Sequence, residues 1–307
     1  MENISEIMQK IMDKKGLTDR YQRINSKVLN DTDIQYFLNQ HQSELTRDAI
    51  NRSFSKLYEY YDVKMKIEKG ESSFAPGYLP ELVVNDHLID ISYAASPERI
   101  KKQAADRIEK RISMISMPKD IKSASLESFD QNSNRFSALS RALEFINTIN
   151  EKQFTPGLYI YGPFGVGKTY LLGAIANELA KLGKNTTLVH FPSFAVEMKS
   201  AINDNSVMEK INAVKKSAIL MLDDIGADSM SSWIRDEVLG VILEYRMQQK
   251  LPTFFSSNFS MEQLENEHLS INQKGELEPL KAKRLMQRIR FLSREVIMDG
   301  ENRREIY

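Results

Sequence analysis

The run Gly162-Pro163-Phe164-Gly165-Val166-Gly167-Lys168-Thr169 has the residue types and spacing needed to hold a polyphosphate. Its three glycines let the backbone curl until several N–H groups face one anion. A helix starting near Lys168 adds the positive end of its dipole at the same point. Lys168 carries a mobile charge toward β- and γ-phosphates, and Thr169 offers a hydroxyl to Mg²⁺. These eight residues, with Tyr170 in the first helical turn, are the set expected to line ATP or ADP.

Two carboxylates follow further along, in Ile219-Leu220-Met221-Leu222-Asp223-Asp224. An apolar strand ending this way delivers both acids beside the phosphates. Asp223 is then the expected Mg²⁺ holder, together with Thr169. Asp224 is the group expected to polarise an attacking water. In Phe254-Phe255-Ser256-Ser257-Asn258, Asn258 lies just past a buried strand, where an amide reaches the γ-phosphate and its water. Lys281, Lys283, Arg284, Arg288 and Arg290 crowd one short helical segment, and Arg303-Arg304 follow. An arginine presented to a neighbouring subunit's γ-phosphate stabilises charge that spreads during transfer. The residues alone leave Arg284, Arg288 and Arg290 open for that role.

These groups need a scaffold that brings them to one edge. From about residue 126 the pattern alternates strand and helix. Strands are expected at 158–161, 186–191, 218–222 and 253–257, with another near 296–298. The helix after the glycine-rich loop carries Leu171, Leu172, Ile175 and Leu179 at helical spacing and stops at Gly183. Alternation of this kind implies an α/β fold: a parallel sheet covered by helices on both faces, with ligand beyond the C-terminal strand ends.

The first hundred residues read differently. Ile4, Ile7, Met8, Ile11 and Met12 predict one helix, and Ile50, Phe54, Leu57, Tyr58, Tyr61 and Met65 a second. Leu82-Val83-Val84 and Leu88-Ile89-Asp90-Ile91 predict a hairpin around Asn85-Asp86-His87. A helix capped by Ser96 is expected over 97–112. The poorly anchored stretch 116–125 reads as a linker, so the expected domains are 1–115, mainly helical, and 126–307, the nucleotide-binding part.

Composition narrows the class. With 42 basic and 42 acidic residues the net charge is zero, which excludes a uniformly basic DNA-coating protein but allows local basic patches. Lys210, Lys215 and Lys216 lie near Phe191 and Phe194, a mixture suited to phosphate contact and base stacking. Cysteine is absent, so disulfides and thiolate metal sites are excluded. The polar N-terminus does not read as a signal peptide, and no apolar run approaches the ~20 residues that span a bilayer. A cytoplasmic protein with no membrane partner is the expectation.

In order and spacing the four elements resemble the AAA+ ATPases. The runs Leu222-Asp223-Asp224-Ile225-Gly226-Ala227, Trp233-Ile234-Arg235-Asp236-Glu237, Tyr245-Arg246-Met247, Leu251 to Phe259 and Arg284-Leu285-Met286-Gln287-Arg288-Ile289-Arg290 are similar to the bacterial helicase loaders of the DnaC/DnaI clade. The resemblance implies a primosome component whose N-terminal domain binds the hexameric replicative helicase. It further implies an AAA+ domain that binds ATP and single-stranded DNA and self-associates through an arginine finger. By motif position Arg288 matches the finger and Arg303 the second sensor. Many related ATPases carry Glu where Asp224 stands, which implies modest turnover here. Relatives also build a zinc site from cysteines and a histidine in the N-terminal domain. Here Ser72, Ser73 and Ala95 stand in that region with His87, and no zinc is expected. Two other readings remain: a different AAA+ DNA remodeller, transposition-like or initiator-like, and an adaptor clamped by ATP with little hydrolysis. No helix-turn-helix follows the ATPase part to support an initiator.

Overall fold

The computed structural model describes residues 17–129, 133–151, 153–227, 230–271 and 275–303. The chain divides into two compact units, Met1–Ala104 and Ala105–Tyr307. The helix expected over the first dozen residues lies outside the described residues.

In the first unit, helices α1 (Leu17–Leu29), α2 (Thr32–Gln40), α3 (Ala49–Arg52) and α4 (Phe54–Glu68) precede a hairpin of β1 (Tyr78–Asn85) and β2 (Leu88–Ala95). Asp31 caps α2, accepting from the N–H groups of Asp33 and Ile34. Ser53 separates α3 from α4, and its hydroxyl accepts the Ile89 N–H at 3.0 Å, which ties the helices to the hairpin. Val28, Ile34, Phe37, Leu57, Tyr60 and Ile89 form the core. Of the second expected stripe, Leu57 is buried while Ile50 and Tyr58 are exposed. The two strands pair antiparallel from Tyr78↔Ala95 to Asn85↔Leu88. Asp86 and His87 both take positive φ (48° and 62°), the two-residue geometry whose twist matches paired strands. His87 is held in that turn, with Nδ1 at 2.9 Å from the Glu44 carbonyl.

Helix α5 (Pro97–Glu109) runs across the sequence boundary between the units, and Ser96 caps it, accepting the Arg99 N–H at 3.2 Å. The second unit then follows the order β3 (Ile112–Ile115), α6 (Ser133–Thr148), β4 (Gly157–Tyr161), α7 (Lys168–Lys181), β5 (Thr186–His190), α8 (Phe191–Ser200), α9 (Val207–Lys215), β6 (Ile219–Asp223), α10 (Gly240–Gln248), β7 (Thr253–Ser257), α11 (Met261–Gln263), α12 (Pro279–Leu292) and β8 (Ser293–Ile297). Six strands make one sheet in the order β3-β5-β6-β7-β4-β8, every neighbouring pair parallel.

Successive residues of each central strand feed opposite cores. Leu158, Ile160, Ile219, Met221 and Phe254 pack with Leu139, Phe145, Leu171, Leu172 and Ile175 of α6 and α7. Tyr159, Leu220, Leu222 and Phe255 pack with side chains of α8, α9, α10 and α12, among them Phe194, Val214, Ile242 and Ile289. Both faces are covered, which is why β6 reads as an apolar run up to Asp223, while β7, equally buried, ends in Ser256 and Ser257.

Two expectations about the middle of the chain need correction. The helix predicted over 97–112 ends at Glu109, and Ile112 instead begins an edge strand paired with β5, from Ile112↔Thr186 to Ile115↔Val189. A boundary at 115 would therefore cut the sheet of the second unit. The expected linker 116–125 contains a 3₁₀ turn, Lys119–Ser123, with Ile121 and Ala124 buried in the core beside α7. Four-residue strands and single buried anchors carry too little periodicity to stand out in a sequence.

Candidate nucleotide site

The glycine-rich loop leaves β4 and enters α7, with Val166 fully buried beneath it as an anchor. Gly167, left-handed at φ 98°, forms the N-cap of α7, so Lys168 and Thr169 begin the helix. Gly165 has φ 77°, and a Cβ built there would fall 1.7 Å from Asn302 Oδ1. Only glycine satisfies both the backbone conformation and the close approach.

Lys168 is 8% exposed, and its ammonium donates to the carbonyls of Gly162 and Pro163 and to Asn258 Oδ1, each at 2.8 Å. Asn258 in turn donates from Nδ2 to Asp224 Oδ1 at 3.1 Å. The amide thus bridges the loop lysine and the second carboxylate. On the neighbouring strand end, the Thr169 hydroxyl lies 3.0 Å from both oxygens of Asp223. Three adjacent strands, β4, β7 and β6, deliver these groups from their C-terminal ends.

Asp223 is almost fully buried, at 2% exposure. Burial pushes its pKa above the usual carboxylate range, against the hydroxyls of Ser256 and Thr169, which favour the ionised form. Ser256 donates to Asp223 Oδ1 and accepts the Asp224 N–H at 2.9 Å. Ser257 Oγ donates to the Ile225 carbonyl at 2.7 Å. The paired serines of β7 therefore pin the turn that carries both acids. Asp224 itself has φ 62°, a left-handed conformation that aspartate tolerates better than longer side chains.

Pro163 and Phe164 form the loop's outer edge, with Phe164 66% exposed. Tyr170 is turned away from the Lys168–Asp223 network: its hydroxyl accepts the Ser125 N–H at 3.2 Å and its ring stacks on Phe129. Arg303 is brought to the loop through its backbone, its N–H donating to the Gly165 carbonyl at 3.1 Å. Arg288 joins none of these. It lies on α12 and pairs with α10, where it meets the Gly240 carbonyl at 2.9 Å and Glu244 at 2.6 Å. Arg290 pairs with Glu265 at 2.7 Å, and Arg284 is exposed.

Phe191 and Phe194 are 3% and 1% exposed and belong to the core, so neither ring is available to stack on a base. Lys210 pairs with Glu197 at 3.6 Å, and Lys215 lies over the Tyr245 ring. Sequence reasoning did not single out Ser256 or Asn302. Ser256 lies in β7 two residues before Asn258, which stands just past the strand end, a spacing that in extended chain signals a shared face. Asn302 carries no local signal, because only the return of the chain past Met298 brings it to the loop.

Residues 1–93 match the family model described as the primosomal protein DnaI N-terminus, and residues 122–273 match that of the bacterial DnaA ATPase domain. The replicative helicase loader DnaI of Bacillus subtilis is 39% identical over 310 residues, covering 99% of each chain. This chain belongs to the DnaI family of replicative helicase loaders. A solved structure of a putative primosome component from Streptococcus pyogenes covers 66% of this chain and 99% of its own at 45% identity, with a TM-score of 0.55. A DnaI crystal structure covers 64% of this chain at 43% identity, again with a TM-score of 0.55. The helicase loader DnaC of Escherichia coli is 25% identical over 132 residues, which is 42% of this chain. The DnaI relationship thus spans both units, and the second is an AAA+ ATPase domain. Among the described residues no helix is long and apolar enough to cross a membrane.

Proposed function

We propose that this DnaI-family chain binds ATP and Mg²⁺ in its second unit and uses them to control placement of a hexameric replicative helicase on DNA. The observation that carries the reading is the linked pair of contacts Thr169–Asp223 and Lys168–Asn258–Asp224, assembled at three adjacent strand ends in a helicase-loader chain. The loop N–H groups of residues 162–167, the dipole of α7 and Lys168 neutralise the phosphates. A hydroxyl and a carboxylate suit a hard cation, so Thr169 and Asp223 are the residues that would hold Mg²⁺. When bound, Mg²⁺ supplies neutralisation of the charge on the phosphate oxygens.

Asp224 orients the attacking water and accepts its proton, while Asn258 holds Asp224 in place and reports the γ-phosphate to β7. Arg288 serves the nucleotide of a neighbouring subunit, in keeping with its position on α12 apart from its own loop. Arg303, next to Gly165, closes the pocket on the bound nucleotide. The first unit engages the helicase and the second engages single-stranded DNA.

Full-length protein mixed with the host's replicative helicase tests the reading. The two should co-elute, and ATP should promote transfer of helicase to circular single-stranded DNA, with transfer lost in Lys168→Ala. Absence of any complex would overturn the loader assignment. Equal transfer by Lys168→Ala would overturn the role of ATP.

A further inference from the structure

Arg288 is held by two acceptors from one face of α10. Gly240, Glu244 and Gln248 are spaced four residues apart, which stacks them along a single helical stripe. The π-helical stretch Ile234–Leu239 runs directly into this helix, with the Gly240 N–H bonded back to the Arg235 carbonyl. A π-turn of this kind shifts the phase of the residues that follow it. The Gly240 carbonyl accepts Nη1 of Arg288 at 2.9 Å, and Glu244 Oε2 accepts Nη2 at 2.6 Å. The other carboxylate oxygen, Oε1, accepts from Gln248 at 2.7 Å, so Glu244 is itself fixed. The Arg288 side chain is 26% exposed and that of Glu244 36%.

A guanidinium has five N–H donors, and two are occupied here, which leaves three for a ligand. An arginine that serves a neighbour's phosphate works better when its fork is already aimed, because a free side chain loses rotamer entropy on docking. The negative charge of Glu244 opposes phosphate binding and thus gives no direct attraction. Its benefit is orientation.

We infer that Glu244 is a positioning residue for Arg288, holding the guanidinium at the angle from which it reaches the nucleotide of the adjoining subunit. This rests on the assignment of Arg288 as the residue acting in trans, and the test separates the two. Lys168→Ala chains supply an arginine but no nucleotide site, and Arg288→Ala chains supply a nucleotide site but no arginine. Mixed together they should hydrolyse ATP well above either alone. If the mixture shows no gain, the trans assignment of Arg288 fails.

With that gain in hand, Glu244→Ala is added to one partner at a time. On the Lys168→Ala chain it should lower the mixed rate about tenfold, in line with the ~100-fold sensitivity of catalysis to an ångström of misplacement. On the Arg288→Ala chain it should leave the rate unchanged, which also controls for folding. Glu244→Gln on the Lys168→Ala chain keeps an acceptor for the guanidinium and should restore most of the rate. An unchanged or higher rate with Glu244→Ala on the Lys168→Ala chain, or an equal loss from either chain, overturns the positioning role.

Discussion

Asn258→Asp tests the bridge between Lys168 and Asp224 most directly. The substituted carboxylate would stand 2.8 Å from the Lys168 ammonium and 3.1 Å from the Asp224 carboxylate. At an effective dielectric constant of ~20 these distances correspond to about 6 kcal/mol of attraction and about 5 kcal/mol of repulsion. In the nucleotide-free protein the two nearly cancel. The folded chain should therefore melt within about 4 °C of the parent, since 1 kcal/mol shifts a domain of this size by roughly 2–4 °C. Nucleotide removes the balance, because Lys168 must leave Asn258 to meet the phosphates. The repulsion then stands alone, beside the added phosphate charge. Water at this half-buried position screens it to roughly 2–3 kcal/mol, or a 30- to 150-fold loss of ATP affinity at 1.4 kcal/mol per decade. Titration with a fluorescent ATP analogue, paired with thermal melts, measures both arms. Asn258→Ala, which adds no charge, should weaken binding much less. An Asn258→Asp chain that binds ATP within threefold of the parent would refute the argument, as would one that melts far below it without nucleotide.

Further outcomes follow from the same geometry. Asp223→Asn should raise the melting temperature of the nucleotide-free protein at neutral pH while abolishing Mg²⁺-dependent nucleotide binding. Burial raises the Asp223 pKa, so its ionised form opposes folding above the ordinary carboxylate range, and that penalty fades as pH falls through the raised value. The difference in melting temperature between the two proteins should shrink toward acid; a constant difference from pH 8 to pH 4 would contradict this origin. Gly165→Ala should lower stability by about 1–2 kcal/mol from its left-handed backbone alone, with a further loss from collision with Asn302. Asn302→Gly should recover only the second part, as read by urea unfolding. Asp224→Asn should retain ATP binding and lose hydrolysis, and the parent itself should turn over slowly. A parent rate of hundreds per second would argue against a limit set by the short Asp224 side chain.

Much of this protein is legible from its residues because local physics dictates it. The glycine-rich loop announces itself, since only glycines tolerate its backbone and only a lysine and a hydroxyl complete its chemistry. An apolar run ending in Asp223, and a second buried run that reaches Asn258 through Ser256 and Ser257, mark parallel strands, and alternating strand and helix forces those ends onto one edge. The Asp86-His87 turn and the Ser96 cap follow from neighbouring residues alone. Tertiary structure decided what depends on the chain returning from afar. It brought Asn302 against Gly165, joined Lys168 to Asp224 through Asn258, and drew β3 and Ile121 into the second unit. It also sent Phe191 and Phe194 into the core, away from Lys210, Lys215 and Lys216, because burial is a property of the packed face and not of the local run. Arg288 shows the division most clearly. Its place among clustered cations is written in the sequence, but its pairing with Glu244 exists only because α12 packs on α10, 44 residues earlier in the chain.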